Sequence, residues 1–166
     1  MSNDPKYQLR LLFYKWMLCN AIITFLMPVF FSVILDLFCN GGYAAVWADL
    51  DVIKCGIPNV IPSFYINIWI FLRMISLEKK NLSAQQMQKL KTESKTASIC
   101  FLGFLGFVNF TLWLGIHTGA PGSSTNVIAY VFIPFFFLPI TIVCIVIGAF
   151  SGWYAAYKCK DSIKAE

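Results

Sequence analysis

Charge is scarce in this chain. Only 13% of its 166 residues are Asp, Glu, Lys or Arg, about half the share of a soluble domain. Histidine is reduced to His117, which excludes bis-histidine haem ligation and argues against a zinc site. There is no phosphate-cradling glycine loop, no nucleophile elbow and no dinucleotide fingerprint. The six cysteines include no C-x-x-C pair, the arrangement a membrane thiol oxidoreductase needs. Internal repeats and low-complexity segments are absent too. These gaps exclude a disordered chain, a coiled coil and an ordinary soluble enzyme. The expectation is a non-enzyme with no catalytic, cofactor-binding or metal-binding residues and no direct contact with nucleic acid.

Apolar residues fill the space. They make up 58% of the chain, with sixteen Phe and a mean hydropathy of +0.70. Four apolar runs stand out, at 17–38, 57–75, 97–116 and 127–150. Crossing ~30 Å of hydrocarbon takes about 20 helical residues. The chain therefore predicts an all-α, polytopic membrane protein: a single four-transmembrane-helix bundle. The second run is the weakest. It reaches span length only by including Pro58, Pro62 and Asn67, so an irregular or re-entrant start is expected there. The first run is longer than a signal-peptide core and is expected to be retained.

Twelve of the thirteen basic residues fall in the N-terminal segment, around the connection after the second run, or in the tail. Alternate segments share a side, so the positive-inside rule places both termini and the middle connection in the cytoplasm. The small size favours a bacterial inner membrane. Trp153, Tyr154 and Tyr157 then form an aromatic anchor at the inner surface.

Several residues are candidates for more than span formation. Cys39 and Cys55 share the first outer connection, where the compartment permits a disulfide; the alternative is two thiols at the membrane surface. Ser83 and Gln86 fit a capping box. A helix starting there is expected to run past Lys89, Lys91 and Lys95 into the third span. Together with Lys79 and Lys80, these lysines are candidates for contact with anionic lipid or with a cytosolic protein. No Asp, Glu, His or Lys lies near a midplane, which argues against a proton or ion path. Asn67 and Asn109 are the deepest amides by position, candidates for a polar pair between the second and third helices. Pro28, Pro134 and Pro139 predict static kinks. Gly115 with Gly119, and Gly148 with Gly152, have the four-residue spacing of helix-packing glycines.

The leading expectation is an interaction or sensor subunit. It would associate in the bilayer as a homo-oligomer or membrane complex and dock a cytosolic protein through the basic loop. The alternatives are an immunity or exclusion protein against a membrane-acting toxin or phage component, and a small oligomeric channel or transporter.

Overall fold

A computed structural model describes residues 5–39, 50–78, 83–117 and 123–164. Four helices account for all of them except Ser83. They are α1 (Pro5–Cys39), α2 (Leu50–Glu78), α3 (Ala84–His117) and α4 (Ser123–Lys164). All four are long and apolar enough to cross a membrane. Around the bundle the order is α1, α2, α4, α3, so α2 and α3 lie on a diagonal.

Every helix is longer than its apolar run. The 35 residues of α1, 34 of α3 and 42 of α4 correspond to about 52, 51 and 63 Å at 1.5 Å per residue. The excess lies mainly at the basic end. Below the level of Arg73 and Glu93, α1, α3 and α4 continue for about 14–18 Å, whereas α2 stops at Glu78. Three helices thus form an extension beyond the apolar belt.

The α3 start is the expected capping box. The Ser83 amide donates to Gln86 Oε1 at 3.0 Å, and the Gln86 amide donates to Ser83 Oγ at 3.3 Å. From there α3 runs unbroken past Lys89, Lys91 and Lys95. The second run departs from expectation. Instead of an irregular start, α2 is continuous through Pro58 and Pro62. Tertiary contacts hold that stretch: Gly56 sits so close to α1 that a Cβ there would lie 2.8 Å from the Phe25 carbonyl oxygen. Pro28 lies inside α1, and Pro134 and Pro139 inside α4, without ending either helix.

The outer surface is apolar, with Phe107, Phe135, Phe136 and Phe150 each well exposed. The core mixes Phe13, Ile66, Ile70, Phe101, Leu105 and Phe137 with buried amides and hydroxyls. In lipid this distribution is sensible. Tails solvate Phe and Ile on the outside, and polar groups find partners only between helices.

Candidate functional site: a polar seam and a basic extension

The bundle interior is more polar than the sequence suggested. Asn20, Thr24, Asn59, Ser63, Ser98 and Asn109 are fully buried, and Asn67 nearly so. Asn20 and Thr24 lie one turn apart on α1. Asn59, Ser63 and Asn67 repeat every fourth residue on α2, so each set faces one direction.

Two clusters result. In the first, Asn20 Nδ2 donates to Asn67 Oδ1 at 3.0 Å and to Ser98 Oγ at 3.2 Å, joining α1, α2 and α3. Asn67 Nδ2 in turn donates to the Met17 carbonyl at 3.0 Å. In the second, Asn109 Nδ2 donates to Asn59 Oδ1 at 3.0 Å and to its own helix at Leu105 O, 2.8 Å away. Asn67 and Asn109, expected as partners, therefore belong to different clusters about 12 Å apart along α2. The α2–α3 amide bond exists, but Asn59 supplies its α2 side.

Asn59 has a second task. Pro28 has no N–H, so the carbonyl four residues back, that of Thr24, loses its helical partner. Asn59 Nδ2 donates to this Thr24 oxygen. A proline in one helix is thus matched by an amide in the next. The sequence signal was present in the Asn-x-x-x-Ser-x-x-x-Asn period of α2, but Pro58 and Pro62 obscured its helical character.

At the basic end a second diagonal link forms. Arg73 Nη2 lies 2.7 Å from Glu93 Oε1; Glu93 is 1% exposed and Arg73 41%. The guanidinium also lies 5.6 Å from the centre of the Trp69 ring, a cation–π distance. Arg73 thus pairs with a carboxylate whose burial without a partner would be costly.

The Gly148–Gly152 pair packs α4 on α3 within one chain. A Cβ on Gly148 would lie 2.7 Å from the Glu93 carbonyl oxygen, and one on Gly152 2.8 Å from that of Lys89. These glycines are used inside the bundle, where they serve as helix-packing residues between α3 and α4. Close backbone approach explains their size. Gly115 is half-buried near the end of α3, and Gly119 lies outside the described residues.

Of the lysine candidates, Lys91 and Lys95 are exposed and Lys89 is half-buried, while Lys79 and Lys80 lie outside the described residues. Among the described residues none of the three α3 lysines has a carboxylate within ion-pair distance. Gln85 Nε2 donates to the Ala156 carbonyl at 2.7 Å and so ties the α3 start to the α4 end. Between α1 and α3 a cavity of about 320 Å³ opens, lined by Gln8, Leu9, Leu12, Met87, Gln88 and Lys91 among others. On α4, Trp153, Tyr154 and Tyr157 are exposed. Cys55 is buried. The Cys39 side chain lies outside those described, and with it the Cys39–Cys55 pairing. Among the described residues no group of His, Cys, Asp or Glu could hold a metal ion.

Comparison with known proteins finds no matching family model, no similar curated protein and no similar solved structure.

Proposed function

We propose that the chain is a non-catalytic integral membrane subunit of a bacterial inner membrane, whose three-helix extension is a cytosolic docking face. The carrying observation is the position of that extension. Three of the four helices outrun the apolar belt at the end where the lysines cluster. Long-range attraction between a basic face and an acidic partner sets association rate and specificity. A rigid face presents that charge in one geometry, and the Ser83–Gln86 cap and the Gln85–Ala156 bond supply the rigidity. With Gly148 and Gly152 used internally, self-association falls to the exposed phenylalanine faces of α3 and α4. Both termini lie in the cytoplasm in this reading.

The test has two arms. An impermeant amine reagent applied to intact cells should leave Lys91 unmodified; modification overturns the assignment of sides. Replacing Lys91 and Lys95 together by Glu should abolish co-purification of the cytosolic partner while membrane levels of the chain are kept. Unchanged recovery of that partner overturns the docking role.

A further inference from the structure

Two cavities at the basic end share one wall. The first is an apolar groove of about 400 Å³ along α4, lined by Val146, Ala149, Phe150 and Trp153. The second is a cleft of about 250 Å³ between α3 and α4, lined by Gln85, Gln86, Lys89, Ala156, Tyr157 and again Trp153. Trp153 lines both, and together they form one slot along α4. Its upper part belongs to the apolar belt, and its lower part is walled by the apolar stems of Gln85, Gln86 and Lys89 beside Trp153 and Tyr157.

We propose that this slot binds a single anionic phospholipid, with an acyl chain along Val146–Phe150 and the phosphate beside Lys89. Three observations select this occupant. The slot crosses the level where apolar surface gives way to charge, since Lys89 lies one turn from Glu93 of the buried ion pair. The Trp153 and Tyr157 rings stack with centroids 6.2 Å apart, and both ring types favour the headgroup level of a bilayer. Lys89 has no carboxylate within ion-pair distance among the described residues, so an anionic headgroup supplies the missing charge. The walls are fixed in advance. Gly148 and Gly152 bring α4 against α3, and the Gln85–Ala156 bond closes the lower end. A soluble acidic peptide would match the lower part but leave the apolar groove unfilled.

The experiment uses the purified full chain in zwitterionic detergent. Phosphatidylglycerol and phosphatidylcholine with the same acyl chains are added in equal amounts, and native mass spectrometry counts the lipid retained. Phosphatidylglycerol should be retained in preference. Lys89→Gln should lower that preference about fivefold, as expected for one basic residue, and Lys89→Arg should restore it. Lys95→Gln removes the same charge from an exposed site outside the slot and should change the ratio less than about twofold. Trp153→Ala should lower retention of both lipids. Equal effects of Lys89→Gln and Lys95→Gln would mean diffuse surface charge and overturn the site. So would an absence of preference for phosphatidylglycerol, or its displacement by glycerol phosphate at equal concentration, which would mark a site for soluble phosphate. No partner protein enters this assay, so its failure leaves the docking role standing, and the converse holds as well.

Discussion

The α3–α4 seam and the α1–α2 seam solve the same problem with different chemistry. Lipid offers no hydrophobic drive for one helix to leave it for another, so association rests on close packing and hydrogen bonds. The α3–α4 seam uses closeness. Gly148 and Gly152 sit against the α3 backbone at Glu93 and Lys89, and Phe101 meets Phe137 edge-on with centroids 5.9 Å apart. The α1–α2 seam also has a close glycine, Gly56, but adds amides: Asn59 to the Thr24 carbonyl, Asn20 to Asn67, and Asn67 to the Met17 carbonyl. The reason lies in proline. Pro28 frees a carbonyl inside α1, and an unpaired carbonyl in an apolar interior is costly. α4 has prolines of its own, Pro134 and Pro139, but its glycine contacts with α3 lie two turns or more beyond them and need only fit, whereas the α1–α2 seam runs beside the freed Thr24 carbonyl and needs a donor as well.

This contrast is exposed to test at both seams. Gly148→Leu should do the most damage, because its Cβ alone would meet backbone oxygen at 2.7 Å. Overpacking of this kind is expected to cost about 3 kcal/mol or more, measured as a loss of stability in mixed-micelle denaturation. A near-neutral result would mean that the α3–α4 seam is not set by closeness. Asn59→Leu should cost about 1–2 kcal/mol. In a Pro28→Ala background, where the restored N–H reaches the Thr24 carbonyl, that cost should fall by about 1 kcal/mol. Simple additivity of the two changes would break the link between proline and amide. The smallest effect belongs outside both seams. Phe64 on α2 is 56% exposed, outside the α3 and α4 phenylalanine faces, and Phe64→Leu should shift stability by less than about 0.5 kcal/mol. A larger loss in the same assay would show that a second copy of the chain covers the α2 face rather than the α3 and α4 faces.

Four helices, their approximate places and the basic distribution were legible from the residues. So was the α3 start, since a capping box is local chemistry between Ser83 and Gln86. Less legible was the interior. Asn67 and Asn109 stood out as deep amides, yet each found another partner, because depth along a helix says nothing about the direction of a side chain around it. Asn20 and Asn59, which do the joining, lie in stretches that read simply as a first span and a proline-interrupted one. Glu93 was hidden among lysines. Its partner Arg73 is 20 residues away on a helix that lies diagonally across the bundle.

The residues alone determined how many helices form, how apolar their outer faces are and which ends carry the lysines. Those properties follow from composition and short-range periodicity, which act within one helix. The tertiary structure decided that helix order places α2 diagonal to α3, that the amides form two clusters, and that Gly148 and Gly152 serve the α3–α4 seam inside one chain. These depend on the rotation of each helix about its axis. That rotation is set only when neighbouring helices satisfy one another's carbonyls and fill one another's gaps.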